Sequence, residues 1–204
     1  MHPNPTFRAE TRERHIEFAR DRAFGVLAVS TSDAPLLSHV PFLLNEDASS
    51  ADLHLVRSNP IVRALKQPQP AKIAVLGPDG YISPDWYEVD DQVPTWNYVA
   101  VHLTGVLEMR PTDDLRNLLD RQAADFENRL LPKPPWLASK MTPDALDRMM
   151  RMIVPCRLMI SDIDGTWKLN QNKPDEARHR AADHVHSAGL GSEVARLASL
   201  MRKA

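Results

Sequence analysis

Between Gly77 and Gly105 the chain reads GPDGYISPDWYEVDDQVPTWNYVAVHLTG. Two of the four tryptophans, Trp86 and Trp96, stand in it with all three tyrosines, Tyr81, Tyr87 and Tyr98. Interleaved with them are Ser83, Thr95, Asn97 and His102, side chains that donate and accept hydrogen bonds. Aromatic side chains are costly to leave in a polar loop punctuated by proline. Such a loop is expected to cover something flat, apolar and hydrogen-bonding at its edge. A flavin ring fits that description, and a subunit interface fits it too.

Other residues with chemical potential are scattered. Arg57 shares a strand face with Leu53 and Leu55, and an arginine on such a face needs an anionic partner unless the strand has already ended in solvent. Lys168 and Gln171 lie in the late segment TWKLNQNKP. His179, Asp183 and His186 fall at i, i+4 and i+7 of an expected helix. That spacing can hold a metal, but a solvated helix face is the simpler reading. Cys156 sits on an apolar strand face and is expected to be inert. No Ser-His-Asp or Cys-His set for nucleophilic catalysis can be assembled.

Six strands must position these residues. Alternating or continuous apolar runs place them at 24–30, 36–44, 53–57, 71–77, 98–109 and 152–163. Thr11 is expected to cap a helix over about 12–22, and Asn59 one that begins at Pro60. Further helices are expected after Thr112, after Thr142–Pro143 and from Pro174 to about His186, with a last one capped by Ser192. Asp164–Gly165 reads as a turn. The strand order suits hairpins and lacks βαβ alternation, which predicts an α+β protein with an antiparallel sheet or small barrel and helices packed outside.

Composition narrows the function classes. The chain has 204 residues, with 25 Lys and Arg against 27 Asp and Glu, a formal net charge of -2. This gives no electrostatic case for nucleic acid or an anionic membrane. One cysteine suits a reducing compartment, and no apolar run has the length of a signal sequence or a membrane span. A cytoplasmic protein is expected. Seven glycines and no GxGxxG or GxxxxGK[ST] exclude the glycine-rich phosphate cradles. Any phosphate is therefore held by side chains.

GPDGYISPDWY followed by VPTWNYVAVHLTG resembles the signature of PaiB-type proteins, described as FMN-binding negative transcriptional regulators. SHVPFLL, HLVRSNP and WKLNQNKP follow the family order, from about residue 7 to residue 175. Asn170 stands where the family usually has Ser. The resemblance implies a six-stranded antiparallel split β-barrel, the FMN-binding split barrel shared with pyridoxamine phosphate oxidases. It also implies a homodimer with FMN at the subunit interface. The split-barrel domain is expected to span 1–173, and the two helices read from the residues at 174–204 are expected to form a C-terminal helical pair packed on the barrel.

The resemblance also assigns roles. Ser38, His39 and Val40 would run along the flavin ring. Arg57 would hold the phosphate, and Ser83 and Thr95 phosphate or ribityl oxygens. Lys168 and Gln171 would lie beside the phosphate or the N1–C2=O edge. Tyr81, Trp96 and Asn97 would serve pocket, interface or both. Two alternatives stand beside the regulator: a flavin-dependent oxidoreductase acting on a small molecule, and a non-catalytic flavin or haem module. Direct nucleic-acid binding is not expected.

Overall fold

The computed structural model describes residues 2–188 and 190–204. Among them are α1 (Arg12–Arg22), β1 (Phe24–Val29), β2 (Leu36–Leu44), β3 (Ser50–Val56), α2 (Pro60–Ala64), β4 (Gln69–Ile82) and β5 (Thr95–Met109). They are followed by α3 (Asp114–Asn128), α4 (Pro143–Met150), β6 (Ile153–Lys168), α5 (Asp175–Ala188) and α6 (Val194–Lys203). The strands neighbour one another in the order β1-β2-β3-β6-β5-β4, and β4 returns to β1 to close the ring. The pairs β1–β2, β1–β4, β2–β3 and β3–β6 are antiparallel. This is the α+β class and the antiparallel arrangement the sequence implies.

Local chemistry explains most boundaries. Thr11 Oγ1 accepts the Arg14 amide at 3.2 Å, and Asn59 Oδ1 accepts that of Ile61 at 2.9 Å ahead of Pro60. Each side chain satisfies an amide that a helix start leaves without a partner. In β2 the alternation is clean, with Val40, Phe42 and Leu44 buried, Pro41 and Leu43 half-buried between them, and His39 exposed just before.

β3 and β5 begin three residues earlier than the apolar runs suggest, and two strands run past their expected ends. β4 continues through GPDG and β6 through Asp164–Gly165, so the expected turn there is absent. Both cases have the same cause. A Cβ on Gly77 would stand 2.7 Å from Phe18, and one on Gly165 would stand 2.4 Å from the His15 ring. These glycines allow close approach within a strand rather than a reversal of it. One helix cap also differs. The residue before α6 is Glu193, in the left-handed region at φ 52°, rather than Ser192.

Cα packing divides the chain into two units. The first comprises residues 1–22, 75–102 and 163–204. Its core includes Phe18, Tyr87, Val99, Trp167, Leu197 and Met201. Arg180 donates to the Tyr87 carbonyl at 2.6 Å, tying the 3-10 turn Pro84–Tyr87 to α5. The second unit comprises residues 23–74 and 103–162, with Leu27, Phe42, Leu53, Leu103, Leu115 and Leu158 in its core. A large buried side chain contributes about 1.5–3 kcal/mol by leaving water, so these rows hold the strands in register.

Candidate cofactor site

In the first unit, Lys168 ends β6 and Thr95 opens β5. The Lys168 ammonium donates to Thr95 Oγ1 and, at 2.8 Å, to the Trp96 carbonyl. Both partners are neutral oxygens. Burial holds the Lys168 pKa below the ordinary lysine value, because desolvation disfavours the charged form. Beside it the Trp96 indole is 47% exposed. The Tyr81 ring meets Trp96 edge-on at 6.3 Å and Trp86 at 6.4 Å, and Trp86 stacks on His184 at 5.6 Å. Leu76, Gly77, Asp79, Trp96, Tyr98 and Val99 line a hollow of about 310 Å³.

Asn97 follows Trp96 on β5, on the opposite face of the strand. It is fully buried, and neither its Nδ2 nor its Oδ1 has a partner. An unpaired buried amide costs free energy, which marks this as a place where the fold alone does not satisfy its own chemistry. Ser83 precedes the 3-10 turn and makes no capping bond with its side chain.

Gln171 differs from these. Its Nε2 donates to the carbonyls of Trp167 at 2.6 Å and Thr6 at 3.2 Å, and its Oε1 accepts the Leu169 amide at 2.8 Å. It braces the chain after β6. Asn170, the departure from the family's usual Ser, adopts φ 64°, a left-handed conformation that asparagine tolerates better than most residues. It lies beside the Tyr87 phenol, whose pKa is raised by burial.

The second unit places the remaining candidates. Ser38 Oγ accepts from Asn59 Nδ2 at 3.1 Å. His39 is exposed and lies against Phe24, ring centroids 6.5 Å apart. The Val40 side chain is in the core, so only its backbone could meet a ligand. Arg57 donates through Nε to the Arg151 carbonyl at 3.0 Å and through Nη2 to that of Ile153 at 3.3 Å. Two of its three guanidinium nitrogens thus hold main chain, with Nη1 outside those bonds. The structure therefore brings Thr95, Trp96, Lys168 and Tyr81 together and commits Gln171 to a turn.

Some engaged residues gave little signal in the sequence. His15 is buried, accepts from Trp167 Nε1 at 3.2 Å, and has its pKa lowered by burial. Tyr87 is buried as deeply. His15 stands in no motif distinct from ordinary core, whereas Tyr87 closes the GPDGYISPDWY segment, where nothing marks it as core. Asp183 pairs with Arg202 at 2.6 Å, and His179 Nε2 lies 3.2 Å from the Arg202 carbonyl, so these two serve the contact of α5 with α6. Burial pushes the Cys156 thiol up to about 12, which leaves it unreactive.

Residues 1–162 match the model of the family described as "Putative FMN-binding domain". The chain belongs to that family. It is 29% identical over 169 residues to the Bacillus subtilis protein named protease synthase and sporulation protein PAI 2, covering 82% of this chain and 80% of that one. It is 27% identical to an uncharacterized protein of Aspergillus fumigatus, covering 92% of each. Among solved structures it resembles the FAD and heme binding protein from Mycobacterium smegmatis, with a TM-score of 0.57 at 17% identity, covering 89% of this chain and 80% of that one. The flavocytochrome Anf3 from Azotobacter vinelandii gives 0.52 at 14% identity, with coverage of 82% and 72%. These likenesses show a shared fold.

The first unit's residues fit FMN. Lys168 is a half-buried cation on neutral partners. Trp96 and Tyr81 present aromatic surface beside it, while Asn97, on the opposite face of β5, lies outside this surface.

Proposed function

We propose that this protein holds FMN through the first unit's cluster, with Lys168 facing the flavin's anionic part. Trp96 and Tyr81 supply aromatic cover, and Thr95 and Ser83 donate from their hydroxyls. The observation that carries this is Lys168 itself, a cation drawn partly out of water whose contacts are neutral oxygens and the Phe7 ring, with no carboxylate paired to it among the described residues. A buried charge is costly unless an opposite charge joins it, and a phosphate or a reduced flavin ring supplies one. Bound FMN would bring two-electron redox chemistry. The chain's own part is to orient it, neutralise its charge and keep water from one face.

The proposal extends to assembly and role. Leu76, Val93 and Trp96 are exposed in the first unit at 58%, 73% and 47%. That apolar surface supports a homodimer with the flavin at its interface. The single buried cysteine supports a cytoplasmic setting, and no helix among the described residues is long and apolar enough to cross a membrane. The Bacillus relative supports a PaiB-type regulatory role. Direct DNA contact is no part of the proposal, because the chain's 25 basic residues are outnumbered by 27 acidic ones.

Denaturing the purified protein and chromatographing what it releases tests the cofactor. FMN is expected, and FAD, or no flavin after incubation with excess FMN, overturns the reading. Light scattering should give twice the 23.0 kDa chain mass.

A further inference from the structure

The second unit contains a cavity that no step of the flavin reading uses. It measures about 440 Å³ and is lined chiefly by Pro41, Leu119, Ala123, Phe126, Trp136 and Leu146. That volume lies within the range of small-molecule sites, about 300–1,000 Å³. Its far wall is the connector after α3, which is pinned in place. Glu127 Oε2 accepts the Trp136 amide at 2.7 Å and pairs with Lys133.

One lining residue is out of keeping with this apolar surface. Gln122 is only 5% exposed, and its Nε2 has no hydrogen-bond partner. His54 lies beside it, and His54 Nδ1 and Gln122 Nε2 are both buried without a partner among the described residues. Keeping a glutamine here instead of a leucine costs desolvation that the protein's own contacts do not return.

Charge defines the ligand further. The charged residues of the lining, Arg116 and Asp120, pair with each other at 2.7 Å, which leaves no net charge for an ionic ligand to meet. We propose that this cavity binds a neutral, mainly apolar organic molecule, with an aromatic or acyl body against Phe126 and Trp136 and a carbonyl oxygen accepting from Gln122 Nε2.

The test uses the full chain, with and without saturating FMN, and two shape-matched probes followed by calorimetry. Acetylnaphthalene carries the carbonyl, and isopropenylnaphthalene replaces its oxygen by a methylene. The ketone is expected to bind once per chain, equally in both flavin states, and about 10-fold more tightly than the hydrocarbon. Gln122→Leu should bind the two probes equally, and Ala123→Phe, which fills the cavity, should bind neither. Each variant is first checked for a wild-type melting profile. The wild-type comparison decides the matter even if a variant fails to fold. Equal affinity for the two probes, no saturable binding, or competition of the ketone with FMN overturns the proposal. Because the binding is read without flavin, its failure is distinct from failure of the FMN reading.

Discussion

Asp52 in the second unit lies between Arg157, at 2.6 Å, and Arg121, at 2.7 Å. Lys168 in the first unit is half-buried, and its hydrogen bonds go to a hydroxyl and a carbonyl, with the Phe7 ring 6.0 Å away. Burial alone would push the Asp52 carboxyl up, but the two guanidinium groups outweigh it and hold the pKa below the usual carboxylate value. Nothing comparable offsets the desolvation of Lys168. A charge whose partners are complete is a structural element, and one whose partners are neutral is prepared for a ligand. Arg57 falls between them, with two nitrogens on carbonyls and one outside those bonds.

The largest expected effect tests the Lys168 side of this contrast. Lys168→Met should weaken FMN about 30- to 150-fold, the loss of a charge-assisted contact of about 2–3 kcal/mol. The apo protein should be no less stable, since the substitution removes a cation without a counter-charge. Flavin fluorescence titration and urea unfolding measure the two quantities. Unchanged FMN affinity, or a marked loss of apo stability, would make Lys168 a structural residue like Asp52.

Asp52→Asn is the converse experiment. It leaves Arg157 and Arg121 facing a neutral amide. Because both arginines are partly solvated, the loss should be about 2 kcal/mol rather than the larger cost of breaking a fully buried pair. FMN affinity of the folded fraction should not change. Chemical denaturation and flavin titration on the same preparation check both halves of the statement.

Sequence reading located these residues unequally, and the reason is range. The strands β1 and β2, the caps at Thr11 and Asn59 and the aromatic segment of β5 depend on near neighbours, and near neighbours are visible in a sequence. The lengths of β4 and β6 depend on Gly77 meeting Phe18 and Gly165 meeting His15, contacts between residues far apart in the chain. The same holds at the site. The aromatic set and Lys168 carried chemical signals, whereas the use of Gln171 as a brace is decided by backbone groups at Thr6 and Trp167. Gln122 is an ordinary helix residue by its sequence context, and its missing partner is what distinguishes it.

Arg57→Ala sharpens the intermediate case. Loss of its bonds to two carbonyls should cost about 1 kcal/mol of apo stability. If Nη1 also meets the phosphate, FMN will weaken more than riboflavin, and that ratio is the measurement. Equal weakening of both ligands would confine Arg57 to its structural bonds.

The smallest effect is a slope with pH, and it samples each unit through one imidazole, buried in the first and half-buried in the second. Burial lowers the pKa of His15 in the first unit and of His54 in the second below the ordinary 6.5. For His54 the neighbouring Gln122 side chain opposes burial without overcoming it. The unfolded chain therefore takes up protons near pH 6.5 while the folded chain does not. Stability should fall as the pH drops below about 6.5 and level off once the folded pKa values are passed. Above pH 7 both imidazoles are neutral in either state and should contribute no slope. Urea midpoints across about pH 7.5 to 5 should show this. His15→Gln keeps an acceptor for Trp167, and His54→Gln keeps a polar side chain beside Gln122. Each should remove part of the decline, and the double variant more of it. A wild-type midpoint that rises on acidification would mean that the folded state gains protons at these positions, and the placement of His15 against Trp167 and of His54 against Gln122 would then have to be revised.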